Sequence, residues 1–223
     1  MDKDTTFAVS SLLESLSRED FAIHLYNRQL HKDPFATVPF APLYYVLDEV
    51  YFVHSSPVIL KDLIGVSEVE IIHKKRFTDA AFQLNPDTVP VPKIVFPEDL
   101  FATVTKPEVD PIPGMKTALH IVITDIVQEQ RAKLIYDYFA SKTSGRVKSV
   151  YEEIANQEKA HRKIFEHALS EITDRKKINM YCPICGKVIE FEPEDGALGG
   201  CGYCLSKFKL TIEEDDFIIK LRE

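Results

Sequence analysis

EKAHRKIF (158–165) and EIIHKKRF (70–77) are one phrase written twice, ExxHxxxF. A glutamate and a histidine three residues apart lie on one face of an α-helix. A single copy in a charged helix describes a solvated surface. A second repeated phrase changes that reading. EDFAIHLY (19–26) and EQRAKLIY (129–136) each carry a glutamate, an alanine three residues on and a tyrosine seven residues on. The chain therefore presents Glu19 and then Glu70/His73, followed by Glu129 and then Glu158/His161.

Those six residues are the donor set that a pair of iron or manganese ions needs inside a four-helix bundle. Two helices give one glutamate each, and the other two give Glu-x-x-His. In the usual arrangement Glu70 and Glu158 bridge the ions, and each histidine and single glutamate completes one end. Carboxylate and imidazole suit iron and leave positions open for oxygen species. The spacing between glutamates is 51 residues in the first half (19 to 70) and 29 in the second (129 to 158). Glu49 or Glu68 is an alternative first-half ligand. Asp125, one turn before Glu129, is a candidate extra ligand or proton carrier. Tyr26 and Tyr136 are candidate catalytic residues that hydrogen-bond metal-bound carboxylates or oxygen species; the alternative is a pair of core tyrosines with satisfied hydroxyls. His24, His31, His54, His120 and His167 lack the repeat and read as surface or ordinary core positions.

Around these phrases the periodicity predicts long helices over about 8–31, 57–83, 115–142 and 146–175, with a shorter apolar helix over 41–54. Pro34 stops the first helix, and a loop with Pro39 and Pro42 follows. Ser56 is a plausible N-cap with Pro57 at the first helical position. Gly65 is placed to kink or divide its helix. Residues 85–114 hold seven of the 13 prolines and read as an extended connection. The predicted fold is mainly α: a ferritin-like four-helix bundle over 1–175, with an insertion at about 32–60 and a long crossover at about 85–114. A small β-rich four-cysteine domain over 180–223 follows, with strands in KVIEFE and KFKLTIEEDDFIIKL.

All four cysteines lie in that last unit, as CPIC (182–185) and CGYC (201–204) with 15 residues between. Two CxxC turns can aim Cys182, Cys185, Cys201 and Cys204 at one ion. Zinc there would be structural; iron would carry one electron. Leu205 follows the second pair where a rubredoxin-type knuckle usually has glycine, which weighs against iron.

Composition sets the outer limits. A net charge of −8 argues against a general nucleic-acid surface. No apolar run reaches membrane-spanning length, and the N-terminus has no signal-peptide pattern. Clustered cysteines fit a reducing compartment, so a cytoplasmic location is expected.

The order of parts resembles the rubrerythrin family over nearly the whole chain, most closely over 119–171. The resemblance implies a di-iron centre that reduces hydrogen peroxide, two irons in the bundle and one iron or zinc at the knuckle. It also implies a homodimer, with electrons supplied by a reductase or small carrier through the tetrathiolate centre. Rubrerythrins usually carry a further glutamate three residues after the third-helix glutamate; here that position is Ala132. This departure makes the site more symmetric, as in bacterioferritins and oxygen-activating di-iron proteins. Rival expectations are a di-iron oxidase or oxygenase that takes dioxygen and an organic substrate, its pocket shaped by the 32–60 insertion, and an iron-binding or storage protein with a zinc knuckle.

Overall fold

The computed structural model describes residues 3–32, 45–47, 50–53, 57–84, 92–112, 116–174, 177–212 and 217–222. The expected loop prolines Pro34, Pro39 and Pro42, the proposed cap Ser56, and His54 lie outside the described residues, as does the side chain of His31. Four long helices dominate: α1 (Lys3–Lys32), α2 (Pro57–Gln83), α3 (Lys116–Lys142) and α4 (Gly145–Thr173). The fold is mainly α with a small β-rich cysteine unit. The chain groups into two compact units. One comprises Met1–Gln29, Asp62–Lys106 and Thr124–Glu166. The other comprises Leu30–Lys61, Pro107–Ile123 and His167–Glu223.

In the first unit, helix directions follow from which residues meet. Going forward along α1, Glu19 faces Tyr136, Tyr26 faces Glu129 and Gln29 faces Asp125. The partner recedes along α3, so α1 and α3 are antiparallel. The same test makes α2 and α4 antiparallel, since His73 meets Glu158 while His161 meets Glu70. Only two residues join α3 to α4, which makes these antiparallel too. It follows that α2 and α3 are parallel. A 27-residue helix is about 40 Å long at about 1.5 Å per residue, so the connection must travel back along the bundle. That geometric demand explains the Pro-rich crossover. In its described part, 92–112, no residue is in a helix or strand.

Buried apolar residues flank the glutamates on both sides, with Leu63, Val66, Ile126 and Phe165 on one and a larger cluster on the other. Leu12, Phe77, Ile135, Phe139, Tyr151 and Ile154 are buried together. The Phe77 ring sits 5.3 Å from Tyr136 and 5.4 Å from Tyr151, a contact that carries dispersion and quadrupole attraction beyond area burial. Tyr151 donates to Ser11 Oγ at 2.9 Å, which satisfies its buried hydroxyl. Gly65 does not divide α2, which runs unbroken from Pro57 to Gln83. A helical glycine costs about 1 kcal/mol against alanine. Burial of Leu63 and Val66 on either side offsets it.

In the second unit the strands are β1 (Tyr45–Leu47), β2 (Val50–Val53), β3 (Ile178–Tyr181), β4 (Val188–Phe191), β5 (Leu198–Gly200), β6 (Lys207–Ile212) and β7 (Phe217–Arg222). β3 and β4 pair with each other, and the rest form one antiparallel sheet in the order β1-β2-β7-β6-β5. The helix expected over 41–54 is therefore corrected: its described residues are strands β1 and β2. Val50 is paired with Lys220 and Val53 with Phe217. A short apolar run rich in Val, Tyr and Phe fits either element, and here a partner strand about 170 residues away decides. Gly199 is needed because a Cβ there would lie 2.5 Å from the Phe191 ring.

Buried Gln130 fastens the crossover to α3. Its Oε1 accepts from the Thr105 amide at 3.1 Å and its Nε2 donates to the Thr105 carbonyl at 2.8 Å. Gln130→Ala should lower stability by about 1–3 kcal/mol, the cost of two lost bonds and exposed backbone groups. Hydrogen exchange checks this directly: the Thr105 amide should lose protection, and an unchanged rate there would refute the clamp.

Candidate metal centres

Six residues converge inside the bundle unit, from all four helices. Glu19, Glu70, His73 and Glu158 form one buried group of donor atoms, and Glu70, Glu129, Glu158 and His161 form another. Glu70 and Glu158 belong to both. Their oxygens divide between the two sides. Glu70 Oε2 lies 2.9 Å and Glu158 Oε1 3.2 Å from His73 Nδ1. Glu70 Oε1 lies 3.1 Å and Glu158 Oε2 3.5 Å from His161 Nδ1. Glu19 Oε2 is 3.8 Å from His73 Nδ1, and Glu129 Oε2 is 3.6 Å from His161 Nδ1. The two imidazole rings stack with centroids 5.6 Å apart.

The tyrosines cross over. Tyr26 on α1 donates to Glu129 Oε1 on α3, and Tyr136 on α3 donates to Glu19 Oε1 on α1. Each single glutamate thus has one oxygen held and the other turned inward. His73 is fixed from behind by Gln157 Oε1, 2.8 Å from its Nε2, which leaves Nδ1 facing the carboxylates. Glu129 Oε2, Glu158 Oε1 and His161 Nδ1 are buried with no hydrogen-bond partner. Unpartnered buried donor atoms of this kind are what a pair of divalent ions would satisfy, so the donor set fits the group.

Electrostatics agree. Burial opposes a charged His73 imidazole, but the surrounding carboxylates of Glu158, Glu19 and Glu70 push it up to about 12. His161 is pushed up to about 12 likewise, by Glu129, Glu158 and Glu70. Burial also opposes ionised Glu70 and Glu158; the two histidines nevertheless hold both below the usual carboxyl range. Burial raises Glu19 and Glu129 well above it. The carboxylates favour the protonated imidazoles, so metal ions bind there in competition with protons.

Among the alternatives raised by the sequence, Glu68 is exposed and outside both groups. Glu49 lies outside the described residues. Asp125 does not join either group; Gln29 Nε2 donates to its Oδ1 at 2.8 Å. His24, His120 and His167 are exposed. Two residues were not anticipated. Gln29 sits three residues after Tyr26 on the same helix face, so spacing could have found it. Gln157 precedes Glu158 directly, and only the packing of α4 on α2 gives it a role.

A cavity of about 660 Å³ opens beside the site and reaches Glu19, Glu70, Glu129 and Glu158. Its walls come from α1, α3 and the crossover, including Ala22, Ala132, Phe96 and Phe101. Among the described residues its lining comes from outside 32–60, most of which lies outside the described residues. Ala132, where rubrerythrins usually carry glutamate, is part of this wall.

The four cysteines form the second centre. Cys182 and Cys204 Sγ are 3.5 Å apart, and Cys185 and Cys201 Sγ are 3.4 Å apart. A tetrahedron of metal–sulfur bonds of about 2.3 Å has edges of about 3.8 Å, so a small expansion admits an ion. The two turns repeat one hydrogen-bond pattern. Gly186 N donates to Cys182 O and Cys182 N to Lys187 O; Leu205 N donates to Cys201 O and Cys201 N to Ser206 O. Gly186 and Leu205 share left-handed φ values of 73° and 63°. The missing glycine therefore changes the side chain and not the turn. Ser206, by its hydroxyl and its backbone, brings the Cys204 thiol down to about 6, while burial drives Cys182 up to about 12.

Residues 121–194 match the family model described as Rubrerythrin. Over this stretch, a third of the chain, the sequence is similar to rubrerythrins. The match spans Glu129, Glu158, His161, Cys182 and Cys185, and it supports a di-iron protein of the ferritin-like superfamily. No curated protein and no solved structure matches the chain. Among the described residues no helix is long and apolar enough to cross a membrane. The matched stretch thus carries Glu129, Glu158 and His161 on α3 and α4, while Glu19, Glu70 and His73 stand outside it on α1 and α2.

Two outcomes are expected here. Leu205 is exposed and strained at positive φ, so Leu205→Gly should stabilise the knuckle by about 1 kcal/mol; a lower unfolding midpoint of the metal-bound protein would contradict this. Burial lifts the Asp125 carboxyl from its usual 3.8 to about 7, although the Gln29 hydrogen bond works the other way. The folded state therefore holds a proton that the unfolded chain has lost above about pH 4. Stability from this group is complete below pH 4 and lost as pH rises through 7. In chelator-stripped protein, Asp125→Asn should match the parent near pH 4 and exceed it by about 4 kcal/mol at pH 8. Equal differences at both pH values in denaturant titrations would refute this.

Proposed function

We propose that this protein is a di-iron oxidoreductase that reduces hydrogen peroxide, with electrons arriving through the tetrathiolate centre. The observation that carries the reading is the paired donor set, in which Glu70 and Glu158 each turn one oxygen to either side. Glu19 and His73 would complete one metal position, and Glu129 and His161 the other. When bound, two ferrous ions supply the Lewis acidity and the two electrons that splitting an O–O bond requires.

The chain's own residues account for the rest. Converting peroxide to two waters consumes two protons besides two electrons. Tyr26 and Tyr136 hold protons against Glu129 and Glu19, and burial keeps both phenols well above their usual range, so they orient carboxylates rather than ionise. Asp125, buried with a pKa near 7, holds a proton one turn from Glu129. The open wall at Ala22 and Ala132 admits the oxidant to the carboxylates. Iron at Cys182, Cys185, Cys201 and Cys204 would cycle by one electron; zinc there would only brace the fold. A reductase or small electron carrier is the expected donor, and a homodimer the expected assembly. Dioxygen reduction coupled to oxidation of an organic substrate is a second reading, favoured by the size of the cavity.

Anaerobic purification followed by metal analysis and peroxide titration tests the proposal. About three irons per chain are expected, with a thiolate-to-iron band that bleaches on reduction and returns with peroxide. Two irons and a zinc, with no reoxidation by peroxide, would overturn it. Glu158→Ala should lower bundle iron and spare the knuckle. Cys201→Ser should do the reverse.

A further inference from the structure

Peroxide is far smaller than the cavity beside the carboxylates. About 660 Å³ is room for an organic molecule of more than ten heavy atoms, well within the range of small-molecule sites. The walls are apolar: Phe21 and Leu25 from α1, Ile135 from α3, and Phe96 and Phe101 from the crossover. Phe21 is 61% exposed, so its ring is open to a molecule in the cavity it lines. The floor is the row of glutamates.

Charge at the rim is what selects a ligand class. Arg18 and Arg131 both line the cavity. Arg18 stands 5.2 Å from the Phe96 ring centroid and Arg131 5.9 Å from that of Phe101. The Arg18 terminal nitrogen is paired with Glu14 at 2.7 Å, yet its Nε is buried with no hydrogen-bond partner. Arg131 has no acidic partner among the described residues. The rim thus carries Glu14 against two guanidiniums, a surplus of one positive charge. The floor adds no net charge once filled, because four carboxylates would face two divalent ions. Stacked guanidiniums with free donors are suited to a carboxylate, and the rings behind them to an apolar body.

We propose that this cavity binds a small organic carboxylate with an aromatic or otherwise apolar body, its head group at Arg131 and Arg18 and its body between Phe21, Phe96, Phe101 and Ala132. Ala132 is central to the assignment, since a larger side chain there would occupy the same space. The site goes beyond peroxide reduction and is independent of it, because binding is read without turnover.

Calorimetric titration of the full-length, metal-loaded protein with 2-naphthoate is the test, with the neutral isostere 2-naphthamide as control. One 2-naphthoate per chain is expected, bound at least about tenfold more tightly than the amide, as charge-assisted hydrogen bonds exceed neutral ones. Ala132→Phe should abolish binding. Arg131→Gln, at an exposed position where folding is not at risk, should weaken the acid about fivefold or more and leave the amide unchanged. No saturable binding, equal binding of acid and amide, or indifference to both substitutions would each overturn the proposal. Metal content and peroxide reoxidation measured on the same samples keep its failure distinct from failure of the peroxidase reading.

Discussion

Four glutamates and two histidines buried in one small volume are the constraint on which the bundle depends. Carboxylates taken out of water are costly unless something positive answers each of them. In the protein alone the histidines do so, favouring the ionised forms of Glu70 and Glu158 while the carboxylates favour the charged imidazoles. Metal ions would answer the same charges more directly. Either way the donors have to come from all four helices, so the site ties the bundle together at its middle and dictates how each helix is rotated.

The crossed tyrosines follow from that demand. A glutamate that turns one oxygen toward the centre leaves the other in an apolar core. Tyr26 and Tyr136 satisfy those oxygens from the opposite helix. The antiparallel run of α1 and α3 makes the exchange possible, since Glu and Tyr seven residues apart on one helix meet Tyr and Glu on the other. The parallel run of α2 and α3 then requires the crossover, and Gln130 fixes it where Phe96 and Phe101 wall the cavity. Site and cavity are consequences of one arrangement. The position of Ala132 shows how a single side chain alters its use: glutamate there would add a ligand, while alanine leaves space.

In the cysteine unit, the backbone hydrogen bonds around Cys182 and Cys201 recur, so the turn is set by sulfur placement and amide direction. Leu205 adopts the left-handed conformation that the repeat demands despite its side chain. A residue that departs from the expected type had suggested a different centre. The geometry makes it a local cost, and the choice between zinc and iron does not follow from it.

The sequence by itself determined the four long helices, the repeated donor phrases and the four-cysteine turns. All three are local: they rest on spacing along one helix or one turn, which the order of residues fixes. Tertiary structure decided what depends on distant segments. Residues 45–53 became strands because β7 offers a pairing edge. Gly65 stayed helical because its buried neighbours hold it. Gln157 acquired a function because α4 packs against His73, and Tyr26 found Glu129 rather than a partner on its own helix. Each of these outcomes turns on a contact between residues far apart in the chain, where no local preference is strong enough to choose.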